Sequence, residues 1–562
     1  ICFTVLKVRS ENRYRQMNPS NGHIKSFKQE TKCKESEFFE QFEKASLFNS
    51  LITYLYFFIL KCMGKLRDFM RNYGLEKNRL AVDSTKNKGF APLYLDFEAF
   101  YTRNVYRRVC DCVNKPICSA PGGSLKAMNR VSDDHNWTFR ILDSTSDIYN
   151  FGSYNYLGFA QNDGLCTDHV EKSINEFGLS VGSPRQEVGN TLYHLELEES
   201  LAEFLGQEAA IVFPMGFATN ALNIPILVDK DCCVISDELN HVSLILGIRL
   251  SGADTRRFKH NNVESLEREL IKAITEGHSK TKRKFKKILV VVEGVYSMEG
   301  SIVRLPEILE LKKKYKFYIY LDEAHSIGAL GKGGRGVVDY FNVNPHEVDI
   351  QMGTFTKSFA SSGGYISGSR NLIHYVREKS HSTIYGGTMS GPICQQILSA
   401  MAIIGGKMGG SLGAERIRQL AWNTTYFRAA LHRMGLIVFG NKNSPVIPVI
   451  VYTIPKVVAF HRECMRRGIG TVIVGYPACN LKLARIRFCI SAAHTKRSLD
   501  YTLSIVDEIA THLRFKYSRL PVPDWCKNVP QRSLIFNENK CCDKYDSCKI
   551  SISNGKFTAP FA

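Results

Sequence analysis

Residues 353–359, GTFTKSF, set one lysine among three hydroxyl side chains, and the small residues Ala360 to Gly364 follow. An amine beside hydroxyls and free backbone N–H groups combines a nucleophile with a phosphate cradle. Pyridoxal phosphate (PLP) needs that combination, because its aldehyde forms a Schiff base with a lysine while its phosphate is anchored nearby. Lys357 is the amine, and Thr354, Thr356 and Ser358 carry the hydroxyls. A motif this short also occurs in ordinary loops, so it needs company.

Two earlier segments supply it. In FYIYLDEAH an apolar run ends on Asp322. A carboxylate there can pair with a pyridinium nitrogen and hold it protonated, which makes the ring an electron sink. His325, three residues on, can reach the ring's phenolic oxygen. In CCVISDELNH, His241 follows another apolar run and can stack on the ring. Either histidine alone reads as a hydrogen-bonded loop residue, whereas three strand-end motifs in one chain read as a cofactor site. The tetrapeptide DEAH also marks the metal-binding carboxylates of RNA-dependent ATPases. That chemistry needs G-x-x-x-x-G-K-[ST] upstream. Here the Gly-Lys pairs beginning at Gly64, Gly331, Gly406 and Gly555 are followed by Leu, Gly, Met and Phe. A nucleic-acid partner and a metal site are therefore not expected.

The elements that must position these residues are apolar runs rich in β-branched residues: AAIVF, CCVIS, KKILVVVEG, FYIYLDEAH, VDIQMGTFTK and GGYISGS. Amphipathic stretches such as LYHLELEESLAEFLG and LPEILELKKKYK separate them. Strands buried on both faces and alternating with helices predict an α/β fold with a mostly parallel sheet. In such sheets functional groups gather at strand ends and in the loops that follow. We place the large domain at 171–399 and a smaller C-terminal α/β domain, carrying VIPVIVYTI and ARIRFCIS, at 400–520. Residues 67–170 read as an N-terminal arm and part of the smaller domain, and 521–562 as an irregular, dispensable tail. The basic run KTKRKFKK (280–287) reads as an exposed loop before a strand.

The flanks add a setting. The chain has 562 residues, a formal charge of +20 and 44% hydrophobic residues. Such a charge suits nucleic acid, an anionic membrane surface, an anionic ligand such as a CoA ester, or simply a basic surface. The chain opens on Ile1, which leaves room for a preceding segment. Residues 1–44 are polar and aperiodic and read as disordered. Ala45 to Leu60 carries no charge, and 45–66 reads as a single-pass or interfacial membrane segment, with a buried core helix as the alternative. The basic stretch KLRDFMRNYGLEKNR behind it suits the cytosolic side. The 17 cysteines show no framework spacing and read as reduced thiols.

Taken together, NYLG (155–158), MGFATN (215–220), DELNH (237–241), EGVYSMEGS (293–301), LDEAHSIGALG (321–331), GTFTKSF and RIRFCISAAHT (485–495) resemble the α-oxoamine synthase family. Within it, GSIVRLPEI, FKHNNVESLE and YTRNVYRR are similar to the lysine-bearing long-chain-base subunits of the serine palmitoyltransferases. The resemblance runs from about Met63 to Leu520. It implies a fold-type I PLP-dependent transferase with Lys357 as Schiff base, Asp322 on the pyridinium and His241 stacked on the ring. It places His325, Ser297 and Thr354 around ring and phosphate, and Gly216 and Phe217 as phosphate N–H donors. Asn155 and Arg487 match positions that hold the substrate carboxylate. Arg485 and Arg487 alternate on a strand and face one side, and a surface ion pair is the plainer role for Arg485.

For function, the resemblance implies decarboxylative condensation of L-serine with palmitoyl-CoA to 3-oxosphinganine, CoA and CO2. The alternative is a relative that takes glycine or another small amino acid with a shorter acyl-CoA. A heterodimer with a lysine-less subunit is implied, with small regulatory membrane subunits, at the endoplasmic reticulum membrane and facing the cytosol. The chain departs from the family pattern in three places. Gly386 and Gly387 stand where a Ser or Thr reaches the neighbouring protomer's phosphate, with Thr388 the next hydroxyl. Pro184 replaces a small polar residue, and Ala360 replaces a glycine.

Overall fold

The computed structural model describes residues 42–75, 89–91, 96–527 and 529. A hairpin of β1 (Ser124–Val131) and β2 (Arg140–Asn150) comes first. The large sheet follows as β3 (Ala209–Phe213), β4 (Cys233–Asp237), β5 (Asp254–Phe258), β6 (Ile288–Glu293), β7 (Tyr318–Asp322), β8 (Ile350–Thr354) and β9 (Gly364–Gly368). Their spatial order is β3-β9-β8-β7-β6-β4-β5. Only β9 runs against its neighbours, β3 and β8. Strands β4, β7, β8 and β9 are buried almost throughout, which is why they read as unbroken apolar runs and not as alternating ones.

The C-terminal unit contains β10 (Val446–Tyr452), β11 (Ile469–Gly470), β12 (Val472–Val474) and β13 (Ala484–Cys489). Strands β10, β13 and β12 form an antiparallel sheet, while β11 pairs in parallel with β2. The hairpin and the C-terminal unit therefore share backbone hydrogen bonds. The helix Gly391–Ile404 runs unbroken through the boundary expected at 399/400.

At the described margins of both flanks, residues 42–44 and 521–527, the chain touches the body. Most of the expected 1–44 tail lies outside the described residues, but Phe42 meets Phe439 edge-on at 5.0 Å. Arg519 donates its backbone N–H to Glu43 at 2.9 Å. One aromatic ring and one acid are enough to tie this stretch to the body. At the other end, the tail expected to be dispensable contributes Cys526, which is buried and accepts from Arg433 Nε at 3.1 Å. Cys541, Cys542 and Cys548 lie outside the described residues. The described cysteines are free thiols.

The apolar segment forms the helix Leu47–Asn72, capped by Ser46, whose hydroxyl accepts from Asn49 N at 3.1 Å. Thr53, Leu60, Gly64 and Arg71 make a narrow buried stripe. A Cβ on Gly64 would meet Phe100 at 2.6 Å, so the stripe packs closely. Asp68 bridges to Arg71 at 2.7 Å and to Arg103 at 3.0 Å. Phe57 meets Tyr476 at 5.9 Å. On the other side Phe48, Leu51, Leu55, Phe58 and Ile59 are exposed. By length and composition alone the helix could cross a membrane.

Candidate active site

Adjacent parallel strands bring their C-terminal ends to one edge. Register places Glu293 of β6 beside Asp322 of β7, and Asp322 beside Met352 of β8. Asp322 is buried, and its two oxygens accept from Asn220 Nδ2 at 2.8 Å and from Ala324 N at 2.9 Å. Just past β8, Lys357 Nζ donates to Thr354 Oγ1 at 3.4 Å. Burial of the amine pushes its pKa down to about 8, against the pull of Asp322 and Glu293 and with a further push from Arg487. Roughly a tenth of such an amine is free base at pH 7, where an ordinary lysine is almost wholly charged.

His241 caps the helix Val242–Ser251. Its backbone N–H donates to Glu293 Oε1, and its Nδ1 lies 2.7 Å from Ser243 Oγ. Burial of its inner edge lowers the imidazole pKa, Asp322 raises it and Lys357 lowers it. His325 Nδ1 lies 2.8 Å from Tyr156 Oη. Burial first, then the charges of Lys357 and Arg487, drive His325 well below its ordinary value, so it is neutral at pH 7.

The helix Gly216–Leu227 opens with no acidic residue in its first turn. Its first N–H groups, those of Gly216 and Phe217, have no partners within the helix and form a positive end suited to phosphate. A Cβ on Gly216 would meet Thr354 Cγ2 at 2.8 Å, so only glycine lets this end approach the loop that carries Lys357. Phe217 meets His241 edge-on at 6.1 Å. Helix end, threonine hydroxyl, amine and carboxylate match the phosphate, aldehyde and pyridine nitrogen of PLP, and the site fits that group.

The two arginines of β13 do face one side, toward the loop after β6, but they are differently engaged. Arg485 Nη1 donates to Met298 O at 2.6 Å and pairs with Glu299 at 3.1 Å. Its Nε donates to Leu483 O at 2.9 Å. The ion pair expected of Arg485 is present, but buried and not at the surface. Arg487 Nη1 donates to Ser297 O at 3.3 Å and Nη2 donates to Tyr154 Oη, while its buried Nε has no partner among the described residues. One N–H of this guanidinium is therefore uncommitted among the described residues. Ser297 thus comes beside Arg487 through its carbonyl.

Asn155 is less available than expected. Its Nδ2 donates to Pro121 O and its Oδ1 accepts from Ala160 N, both at 3.2 Å, which makes it a brace for its own loop. The preceding Tyr154, which sequence reasoning passed over, takes the central place. It receives Arg487, its ring meets His325 at 5.1 Å, and Lys357 Nζ lies 5.8 Å from its centroid. Its only signal in the sequence was its place beside NYLG, and an aromatic there reads as core.

Two of the three departures from the family pattern fall together. Pro184 and Gly387 pair as an isolated bridge, and Thr388 Oγ1 donates to Ser183 O at 2.6 Å, which commits that hydroxyl's proton within the chain. Ala360 sits at φ +50°, where a side chain costs about 1–2 kcal/mol relative to glycine.

The sequence model of the aminotransferase class I and II family matches residues 146–506. The chain is 53% identical over 481 residues to human serine palmitoyltransferase 3, covering 85% of this chain and 87% of that one. It is 49% identical to Caenorhabditis elegans serine palmitoyltransferase 2, covering 85% and 86% of the two chains. Among solved structures, a Sphingomonas wittichii serine palmitoyltransferase superposes with a TM-score of 0.65 at 25% identity, covering 75% of this chain and 99% of that one. An 8-amino-7-oxononanoate synthase from Francisella tularensis shares the fold, with a TM-score of 0.54 at 23% identity over 65% of this chain and 98% of its own. The chain belongs to the aminotransferase class I and II family, in its serine palmitoyltransferase branch.

Proposed function

We propose that this chain is the catalytic, PLP-bearing subunit of a serine palmitoyltransferase. The observation that carries the reading is the convergence of Lys357, Asp322 and His241 on one sheet edge beside a free helix N-terminus, in a chain 53% identical to an enzyme of that name. When bound, PLP supplies an electron sink for loss of the α-proton from serine. Lys357, with its lowered pKa, takes that proton. Asp322 would hold the pyridine nitrogen and keep it protonated, His241 would pack against the ring, and Arg487 would hold the serine carboxylate with Tyr154 beside it. A bond then forms between serine Cα and the thioester carbonyl of palmitoyl-CoA. CoA leaves as its thiolate, the carboxylate leaves as CO2, and a proton returns to Cα to give 3-oxosphinganine.

The setting belongs to the same proposal. A helix whose inner stripe is packed and ion-paired to the body is poorly placed to leave it and span a bilayer. Leu47–Asn72 therefore lies in the membrane interface, its outer apolar face toward lipid. Met215, Leu239, Val242 and Ile245 are exposed near the His241 end of the site, and these apolar side chains support a second chain covering this rim. That partner is a lysine-less subunit, and Thr388, its proton committed to Ser183, suits a neighbour with no phosphate of its own to bind. The complex sits at the endoplasmic reticulum, facing the cytosol, with room for small regulatory membrane subunits.

The test is product formation from serine and an acyl-CoA series, with and without the lysine-less partner. 3-Oxosphinganine from serine and palmitoyl-CoA, dependent on the partner, is expected. Product only from glycine and a short acyl-CoA would overturn the substrate assignment.

A further inference from the structure

Asn220 lies within the helix Gly216–Leu227, whose N-terminus faces the phosphate end of the site, yet its own side chain is directed elsewhere. It is buried, with Tyr320 and Ser243 buried against it. Its Nδ2 donates to Asp322 Oδ2 at 2.8 Å and to Ser243 Oγ at 3.0 Å. Its Oδ1 accepts from Tyr320 Oη at 2.7 Å. Tyr320 stands two residues before Asp322 on β7, so strand geometry puts both on one face.

The direction of each hydrogen bond follows from chemistry. A flipped amide would turn Oδ1 toward the Asp322 carboxylate, oxygen against oxygen, so the carboxylate fixes Nδ2 on its side. The Tyr320 hydroxyl must then donate to Oδ1. Ser243 Oγ receives an amide N–H, which frees its own proton for His241 Nδ1, 2.7 Å away. Ser243 N also donates to that nitrogen, at 3.3 Å. With two donors aimed at it, Nδ1 carries no proton, and the imidazole is held as its Nε2–H tautomer. One amide thus orients the carboxylate assigned to the pyridine nitrogen and, through one hydroxyl, fixes the proton on the ring assigned to stack above it.

We infer that Asn220 is a positioning residue for the reaction, coupling the orientation of Asp322 to the tautomer of His241 through Ser243, with Tyr320 holding the amide in the required sense. The inference rests on the reading of the site given above.

The experiment compares Asn220→Ala, Ser243→Ala and Tyr320→Phe with the wild-type chain, each co-purified with its partner. It measures PLP dissociation constant, visible absorbance of the bound cofactor, 15N chemical shifts of His241, thermal stability and kcat. Partners that orient a metal's ligands are typically worth about 10–100-fold in affinity or activity, and a loss of that order is expected for a partner that orients Asp322. Asn220→Ala is expected to lose that much in kcat, to bind PLP more weakly and to shift the cofactor absorbance. Ser243→Ala should alter the His241 15N shifts while leaving the absorbance nearly intact, because Asn220 still holds Asp322. Tyr320→Phe should fall between them. Reduced stability of Asn220→Ala with wild-type absorbance, PLP affinity and kcat would make the residue merely structural and overturn the inference. Should that variant fail to fold, unchanged His241 shifts in Ser243→Ala together with unchanged absorbance in Tyr320→Phe would overturn it equally. A wild-type chain that takes up no PLP would instead sink the reading of the site.

Discussion

At the C-terminal edge of the large sheet, neighbouring parallel strands deliver Glu293 and Asp322 side by side, β8 ends just past Asp322's partner Met352 on Thr354, and the loops beyond add His241, His325 and Lys357. In the antiparallel sheet of the C-terminal unit, two arginines on β13 reach the same loop after β6, yet one has its Nε and Nη1 engaged by Glu299 and two carbonyls while the other keeps its buried Nε–H without a partner among the described residues. Strand ends in the first region are specialised because topology gathers them at one edge. In the second, two identical side chains are specialised only by what surrounds them. The cofactor half of the site follows from where the chain turns, and the substrate half from how it packs.

The largest effect should come from the first region. Lys357→Ala is expected to abolish turnover and the visible absorbance of bound PLP, because no other amine in the motif can bond the aldehyde. Lys357→Arg should fail as well, since a guanidinium is not a nucleophile near pH 7. Steady-state rates and an absorbance scan check both. Asp322→Asn should retain PLP but slow exchange of the serine α-proton about 100-fold or more, read by NMR in deuterated buffer.

The second region sharpens the contrast. Arg487→Lys should raise the serine KM roughly tenfold while sparing PLP binding, because one ammonium cannot reproduce a two-point grip. Arg485→Lys should instead lower the melting temperature and leave the serine KM near wild type, since its bonds run to Met298, Leu483 and Glu299. Equal KM effects at both positions would erase the proposed difference.

A smaller effect concerns pH. The Lys357 amine titrates at about 8 in the folded chain, below an ordinary lysine. Its free-base form therefore grows as pH rises toward and through 8, and recombination of PLP with the cofactor-free protein should speed up with a midpoint near 8. The sign for stability agrees: between 8 and 10.5 the unfolded chain holds the extra proton, so this residue's penalty on folding is full below pH 8 and is relieved as pH rises. A midpoint near 10.5 would contradict the burial of the amine. Smallest of all, Leu51→Glu with Phe58→Glu should weaken sedimentation with anionic vesicles and leave kcat unchanged, because both side chains point away from the body.

Much of this could be read before the fold was seen. Lys357, Asp322 and His241 were legible because each follows an apolar run, and a parallel sheet must gather such ends. Gly216 was legible by resemblance, and its reason is the Thr354 contact. Tyr154 was not, since an aromatic ring beside NYLG signals burial before function. The internal bonds of Asn155 were not legible, because a side-chain amide offers the same groups to a substrate as to its own loop, and only the fold shows Pro121 and Ala160 meeting it. The helix Leu47–Asn72 was legible in outline, but its packed stripe depends on Asp68 meeting Arg103, a pairing no local pattern announces.

The most direct test of the central claim is borohydride reduction of the PLP-loaded chain, purified with its partner, followed by digestion and peptide mass spectrometry. The account predicts a single reduced pyridoxyl-phosphate adduct on the peptide containing Lys357, absent from Lys357→Ala. An adduct on another lysine, or none from a chain that turns over serine, would contradict it.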